Sequence, residues 1–250
     1  MERWSNRVAV VTGASSGIGA VAAKYLANNG MVIVGLAPCI EGIESLRDEV
    51  EDEAKERIHA LKCDVTDEQQ VVGAFAEIES SYGPIAVLVN NAGVARTSTT
   101  LLQPKNLQDI RDVIETNILG VIICTREAFR SMKTQGDDGH VFLINSTCGH
   151  KVPMFPNTTV NVYPASKFAL TALTEVYRQE FLDQKTKVKI TSISPGLVDT
   201  QIHVGESRAA LASMPFLKPE DIADALIYCL QTPPHVQVHE LTIKPNGEII

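Results

Sequence analysis

The sequence predicts an α/β protein, with a doubly wound parallel sheet of about seven strands and helices on both faces. Short apolar runs alternate along the chain with longer amphipathic segments, which is typical of strands joined by helical crossovers. With 250 residues, 44% of them hydrophobic and 21% charged, the chain is long enough for one large α/β domain. We find no repeat, linker or low-complexity tract, so residues 1–250 are predicted to form a single domain.

The predicted elements follow these runs in order. The strands are residues 8–11, 31–36, 58–63, 85–89, 140–145, 188–193 and 238–243. The helices are residues 20–29, 41–54, 66–81, 107–132 and 163–184, with weak helical character at 208–212 and a last helix opened by Pro219. Either Thr66 or Asp67 could cap the third helix.

The turn after the first strand, residues 12–19, reads Thr-Gly-Ala-Ser-Ser-Gly-Ile-Gly. A strand, a glycine turn and a helix in succession place backbone N–H groups and a helix N-terminus against a pyrophosphate. Gly13 permits the sharp exit from the strand, Gly17 lets the backbone approach phosphate, and Gly19 lets the helix pack close to the sheet. A glycine-rich turn without a ligand remains the alternative. The residues of this turn that we predict to bind such a ligand are Gly13, Ser15, Ser16, Gly17, Ile18 and Gly19.

Polar and glycine-rich pieces follow the other strands as well. Asp64 follows the third strand, residues 90–93 the fourth, Ser146 the fifth, and Pro195-Gly196 end the sixth. In doubly wound sheets, ligands bind outside the carboxyl ends of the strands. We therefore expect these pieces to converge on one functional edge.

Tyr163 and Lys167 stand one helical turn apart, on one face of a predicted helix. A phenol has an ordinary pKa of about 10, and bringing it to about 7 takes roughly 4 kcal/mol. A unit charge about 4 Å away supplies a similar amount at an effective dielectric of about 20. The spacing thus favours a phenol activated by an amine, and a surface Tyr/Lys pair is the alternative.

Taken together, these motifs resemble the short-chain dehydrogenase/reductase family in its compact branch with a Rossmann fold. The resemblance covers almost the whole chain and adds Asn117, in the sequence Thr-Asn-Ile-Leu-Gly, to the residues above. It implies a catalytic set of Asn117, Ser146, Tyr163 and Lys167. It implies cofactor contacts from the glycine turn, from Tyr163 and Lys167, and from Asp64, Val65, Asn91, Ala92, Gly93, Pro195, Gly196, Val198 and Thr200.

The resemblance also implies a role for each catalytic side chain. Tyr163 would be the general acid/base at the substrate oxygen, and Ser146 would polarise that oxygen. Lys167 would hold the nicotinamide ribose and lower the pKa of Tyr163, while Asn117 would position a water in a proton relay. The cofactor carries the hydride chemistry and the protein orients it.

Residues 139–150, 169–175 and 218–223 resemble a subgroup acting on apolar alcohols and ketones, such as the isoprenoid farnesol and steroid-like compounds. Its members usually clamp the 2′-phosphate of NADP with arginines after the second strand, whereas NAD-preferring relatives carry an acidic residue there. Here residues 35–39 read Gly-Leu-Ala-Pro-Cys, without a basic residue, and no acidic residue stands between the end of the second strand and Glu41. The resemblance to this subgroup favours NADP as the cofactor, and NAD is the alternative.

Composition and cysteine usage exclude several other classes. A net charge of −8 argues against nucleic acid or an anionic membrane as a partner. The five cysteines are scattered without a C-x-x-C pair, so neither a disulfide framework nor a metal site is predicted. The polar first residues and the lack of a long apolar run predict no signal peptide, no membrane span and a cytoplasmic location. The resemblance implies a homodimer or homotetramer.

Ser146 and Tyr163 are 17 positions apart, several more than is usual in the family. The extra residues, 153–162, include Met154, Phe155, Val160 and Val162, and we interpret them as an apolar wall over the substrate. A solvent-facing loop is the alternative. A cofactor-binding sensor or carrier with little turnover is the competing hypothesis for function. A serine hydrolase is disfavoured, because this sequence has no G-x-S-x-G turn at Ser146.

Overall fold

Seven parallel strands form one sheet in the computed structural model, which describes residues 1–96, 100–136, 138–154, 160–202 and 214–248. The strand order is β3-β2-β1-β4-β5-β6-β7, so the direction of strand succession reverses between β1 and β4. The predicted fold class is confirmed. The strands are β1 Val8–Thr12, β2 Val32–Ala37, β3 Ile58–Lys62, β4 Ile85–Asn90, β5 His140–Ile144, β6 Lys189–Pro195 and β7 Glu240–Ile243.

The central strands are apolar because helices cover both faces of the sheet. Every residue of β1, β4, β5 and β6 is buried. One core cluster, which includes Trp4, Leu26 and Met31, fills one face, and the other, which includes Phe75 and Ile78, fills the opposite face. The sheet is therefore the middle layer of three, and its carboxyl edge is free to carry loops.

The helices that cover the sheet largely match the predicted ones. They are α1 Gly17–Asn28, α2 Glu41–Glu44, α3 Glu68–Tyr82, α4 Leu107–Ile114, α5 Val121–Thr134, α6 Tyr163–Asp183 and α7 Pro219–Gln231. Asp67, not Thr66, caps α3, because its carboxylate accepts from the backbone N–H groups of Gln69 and Gln70. The weak helical character at 208–212 lies outside the described residues.

The predicted helix at 41–54 is wrong. Only α2 is α-helical there; two 3₁₀ segments follow, Ser45–Glu49 and Asp52–Arg57, and Val50 between them is extended. Ile43 of α2 and Leu46 of the first 3₁₀ segment are both buried, and residues three apart lie on one face in either kind of helix.

The predicted helix at 107–132 is helical throughout but not uniform. A π-helical segment, Glu115–Gly120, separates α4 from α5. Such segments are rare and occur often at functional sites. Its last residue, Gly120, approaches Val65 so closely that a Cβ would lie 3.0 Å from a Val65 methyl and 3.1 Å from the Val65 carbonyl oxygen. The π-segment thus brings this helix against the loop after β3.

None of the helices in the described part of the chain is both long and apolar enough to cross a membrane. All five cysteines are free thiols.

Candidate active site

A cavity of about 950 Å³ opens at the carboxyl ends of the strands, beside the point where strand order reverses. All predicted site residues except Gly19 and Asn117 line it. They are Gly13, Ser15, Ser16, Gly17, Ile18, Asp64, Val65, Asn91, Ala92, Gly93, Ser146, Tyr163, Lys167, Pro195, Gly196, Val198 and Thr200. The edge expected from the strand ends is therefore one continuous site.

The glycine turn has the backbone that its sequence predicts. Gly13 and Gly17 have φ values of +64° and +56°, in the region that favours glycine. A Cβ on Gly13 would lie 2.9 Å from the Cα of Ala92. A Cβ on Gly19 would overlap the Asn91 amide and the Gly13 carbonyl, so Gly19 serves packing within the turn and does not face the cavity.

Asn91 fastens the loop after β4 to this turn. Its side-chain amide donates to the carbonyl oxygens of Thr12 at 3.0 Å and Gly13 at 3.1 Å. The Thr12 hydroxyl accepts in return from the backbone N–H groups of Asn91 and Ala92, both at 3.0 Å. These four bonds fix the two loops that form the centre of the cavity.

Asp64 lines the cavity at the end of β3, although one carboxylate oxygen is turned into its own loop. That oxygen accepts from the backbone N–H of Thr66 at 2.9 Å and from its hydroxyl at 2.8 Å. Val65 follows, against Gly120 of the π-segment. The bonds to Thr66 hold the Asp64 carboxylate in place at the edge of the cavity.

Asn117 lies in the π-segment and is buried, away from the cavity surface. Its oxygen accepts from the Val94 backbone N–H at 2.9 Å, and its nitrogen donates to the Val94 carbonyl and the Ser166 hydroxyl, both at 3.0 Å. The predicted role of Asn117 in positioning a water of a proton relay stays a prediction. Its contacts tie the loop after β4 to helix α6.

Ser146 and Tyr163 meet inside the cavity. The Ser146 hydroxyl caps a 3₁₀ turn, accepting from the Cys148 backbone N–H at 3.1 Å. Burial raises the pKa of the Tyr163 phenol above its ordinary value, and a hydrogen bond with Ser146 opposes this only in part. The phenol is therefore protonated at neutral pH, the form that can give a proton to a substrate oxygen.

Lys167 is buried and points along the floor of the cavity. Its ammonium donates to the carbonyl oxygen of Ile144 at 2.8 Å and lies 5.6 Å from the centre of the Tyr163 ring. Burial lowers the pKa of Lys167 to about 8. Burial therefore dominates the pKa of both groups in the protein without cofactor, and the lowering of the Tyr163 pKa by Lys167 together with a cationic nicotinamide stays a prediction.

The predicted apolar wall between Ser146 and Tyr163 lies only partly within the described residues and stays a prediction. Pro153 and Val160 line the cavity, but Met154 is 93% exposed and Val162 does not line it. Phe155 lies outside the described residues. The described part of the segment therefore forms a small apolar edge and otherwise faces solvent.

A polar rim borders the cavity, and the sequence analysis missed its Arg96–Asp112 pair. Arg96 lines the cavity and pairs with Asp112, which also lines it, at 3.1 Å. His150, another lining residue, hydrogen-bonds through Nε2 with the Ser194 hydroxyl at 2.9 Å. These residues come from separate elements, and no spacing in the sequence relates them.

The end of β2 carries charges that the sequence analysis did not bring together. Lys62 pairs in register with Ala37, a lining residue, on the neighbouring strand. The Cys39 thiol donates to the Glu41 carboxylate at 2.8 Å, a bond that lowers the pKa of Glu41, and Lys62 acts in the same direction. Gly42 leaves no room for a side chain against the Ser15 carbonyl. A cation at the end of β3 and an anion at the start of α2 therefore lie near the carboxyl end of β2, although neither lines the cavity.

These residues fit a dinucleotide. Ser16, Gly17 and Ile18 line the cavity at the N-terminus of α1, where backbone N–H groups can bind a phosphate, and the cavity continues from there to Tyr163. Within the described ranges, no group of three His, Cys, Asp or Glu side chains could hold a metal ion.

Comparisons with known proteins agree with this geometry. The short chain dehydrogenase family profile matches residues 7–210. Farnesol dehydrogenase of Aedes aegypti is 49% identical over 251 residues, covering 99% of both chains. Dehydrogenase/reductase SDR family member 11 of Mus musculus is 41% identical over 258 residues, covering 100% of this chain and 98% of the relative.

Among solved structures, an alcohol dehydrogenase from the archaeon Thermococcus sibiricus, complexed with 5-hydroxy-NADP, has a TM-score of 0.80. It is 27% identical to this chain, and the match covers 97% of each protein. Since the family profile spans most of the chain and the relatives align along nearly all of it, this protein belongs to the short-chain dehydrogenase/reductase family of oxidoreductases.

Proposed function

We propose that this protein transfers a hydride between NADP(H) and an apolar alcohol or ketone, with Tyr163 as the general acid/base. The observation that carries the proposal is that Tyr163, Ser146 and Lys167 line the same cavity as the glycine turn. The names of the two relatives, a farnesol dehydrogenase and a dehydrogenase/reductase, support the reaction class.

Each catalytic side chain has one task in this proposal. The buried phenol of Tyr163 gives its proton to a carbonyl oxygen during reduction and takes it back during oxidation. The Ser146 hydroxyl donates to the same oxygen and polarises it. Lys167 binds the ribose next to the nicotinamide. Asn117 is a positioning residue, since its bonds hold Val94 and Ser166.

The glycine turn would hold the pyrophosphate, Asp64 and Val65 the adenine, and residues 195–200 the nicotinamide. When bound, the nicotinamide ring supplies or accepts the hydride. The bound 5-hydroxy-NADP of the archaeal structure supports NADP as the preferred form. Lys62 is the cation we propose for the 2′-phosphate, and Glu41 is the anion that opposes it and keeps NAD as the alternative.

The substrate end of the cavity favours an apolar molecule. Apolar side chains line it after β4, before α6 and after β6, among them Val94, Val160, Leu197 and Ile202. A ligand here would place its hydroxyl or carbonyl at Tyr163 and its hydrocarbon part against these walls. An isoprenoid such as farnesol, or a steroid-like compound, has that form.

Initial rates with NADP⁺ and NAD⁺ test the proposal, using farnesol, apolar secondary alcohols and, as the control, glycerol. We expect turnover of the apolar alcohols, faster with NADP⁺, and little with glycerol. Cofactor binding without turnover of any alcohol, or of the matching ketones with the reduced cofactor, would contradict the proposal and favour a sensor or carrier.

We further propose a homodimer or homotetramer built through α4, α5 and α6 and through β7. These helices expose apolar side chains, including Leu107, Phe168 and Leu182, and Phe129 and Phe181 stack at a groove between α5 and α6. A monomer in light scattering would contradict this.

The free cysteines support the cytoplasm as the location, and we expect cell fractionation to place the protein there.

A further inference from the structure

The turn that follows β7, residues 245–248, folds back against the loop after β6. The Glu248 backbone N–H donates to the Pro245 carbonyl at 3.1 Å, and Gly247 has a φ of +90°. This backbone directs the Glu248 side chain inward, where it is 0% exposed. A carboxylate is rarely buried so completely without a specific partner.

The partners of Glu248 lie in the wall of the cavity. One carboxylate oxygen accepts from the Leu197 backbone N–H at 3.1 Å, and the other pairs with the Lys244 ammonium at 3.2 Å. Leu197 and Lys244 both line the cavity. A charge-assisted hydrogen bond to a backbone N–H is stronger and more directional than a neutral one, so this bond fixes the orientation of that peptide.

Gly196 completes the arrangement. The Glu248 carboxylate occupies the space that a Cβ on Gly196 would take, and the Gly196 backbone N–H donates to the Ile243 carbonyl at 2.7 Å. The backbone of residues 196–197 is therefore held by β7 on one side and by Glu248 on the other.

We propose that Glu248 is a positioning residue, whose carboxylate holds the Gly196–Leu197 backbone in the conformation that receives the nicotinamide half of the cofactor. This inference rests on the proposed function, which assigns that loop to the nicotinamide. Because a glycine cannot anchor the loop through a side chain of its own, the anchor comes from the turn after β7.

Calorimetric titrations with two pairs of ligands test this, each pair a dinucleotide and a fragment without nicotinamide. The pairs are NADPH with 2′,5′-ADP, and NADH with ADP-ribose. We expect Glu248→Ala to weaken dinucleotide binding about tenfold and fragment binding by less than about twofold. Glu248→Gln keeps an oxygen that can accept from Leu197, so we expect it to recover most of the affinity. Asn246→Ala, an exposed change in the same turn, is the matched control.

Several results would overturn the inference. One is unchanged dinucleotide binding by Glu248→Ala, and another is equal weakening of dinucleotide and fragment. If Glu248→Ala does not fold, Glu248→Gln decides: a modest loss confined to the dinucleotide supports the inference, and a loss shared with the fragment opposes it. If wild-type protein binds neither dinucleotide, the proposed function fails and this inference fails with it. If the wild-type protein binds the dinucleotides and the Glu248 variants bind them equally well, this inference fails while the proposed function stands.

Discussion

The ammonium nitrogen of Lys167 lies 5.6 Å from the centre of the Tyr163 ring. Its hydrogen bond is made to the Ile144 carbonyl, and burial brings its pKa down to about 8. The phenol is likewise governed by burial, which raises its pKa. The protein without cofactor therefore holds a neutral acid beside a lysine whose charge is easily lost.

Cofactor affinity should depend on the charge of Lys167. A lowered lysine pKa means that the ammonium form dominates below about pH 8 and is lost above it. Only the ammonium can donate to ribose hydroxyls and still attract an anionic ligand, so affinity for NADPH should fall as pH rises through this range, by up to about tenfold per pH unit. Titrations between pH 6.5 and 9.5 measure this. We expect Lys167→Met to bind weakly with a flat profile over that range, and a profile in the variant parallel to wild type would refute the assignment.

The charges at the end of β2 should set the choice of dinucleotide. Removing the cation in Lys62→Gln should raise KM for NADP⁺ several-fold and leave KM for NAD⁺ nearly unchanged. Removing the anion in Glu41→Gln should instead lower KM for NADP⁺. Glu44→Gln, an exposed carboxylate on the same short helix, is the control for net charge. Equal effects of Glu41→Gln and Glu44→Gln would show a general charge effect and not a site.

Gly19 and Gly73 are both helical glycines, but their surroundings differ. A Cβ at Gly19 would overlap Asn91 and Gly13, whereas a Cβ at Gly73 would meet nothing within 4 Å. We expect Gly19→Ala to lower the free energy of unfolding by about 1–3 kcal/mol through overpacking and to weaken cofactor binding. Gly73→Ala should raise the free energy of unfolding by about 0.5–1 kcal/mol. Urea unfolding followed through the single, buried Trp4 measures both, and a tolerated Gly19→Ala would disprove the packing role.

His140 should make stability depend on pH. It is fully buried, bonded to the Thr191 hydroxyl at 2.8 Å, and burial holds its pKa well below the ordinary value. Above about pH 6.5 both folded and unfolded states carry a neutral imidazole. Below it only the unfolded state is protonated, so the free energy of unfolding should fall as pH falls, by up to about 1.4 kcal/mol per pH unit.

His140→Gln keeps a polar partner for Thr191 without the titration. Urea unfolding of wild type and His140→Gln between pH 7.5 and 5.5 isolates the histidine, because the carboxylates are common to both. The wild type should lose more stability toward pH 5.5 than the variant. Curves that stay parallel would contradict the assignment.

The local motifs of this chain were predictable because each determines its own backbone. The turn at Gly13 and Gly17 needs φ values open to glycine, and short apolar runs between helices become buried parallel strands. The carboxyl-end rule then brings Asp64, Ser146 and Pro195 to one edge without any knowledge of contacts.

Features that depend on packing between distant residues were not predictable. The π-segment that buries Asn117 packs against Val65 and hydrogen-bonds with Val94, and both of these residues lie earlier in the chain. The 3₁₀ turns after α2 follow the burial of Leu46, and the anchor at Glu248 depends on a loop some fifty residues earlier. The same limit applies to Lys167, since spacing indicates which groups are close but not how strongly burial acts on them.

Single-turnover reduction of an apolar ketone by NADPH tests the central claim most directly, comparing wild type with Tyr163→Phe. Tyr177→Phe, at a second buried tyrosine of α6, serves as the matched control. Loss of a positioned general acid should slow the chemical step by about 10²–10⁴-fold in Tyr163→Phe, with NADPH affinity nearly unchanged and Tyr177→Phe like wild type. A Tyr163→Phe protein that reduces the ketone at the wild-type rate would contradict the assignment of Tyr163 as the acid/base.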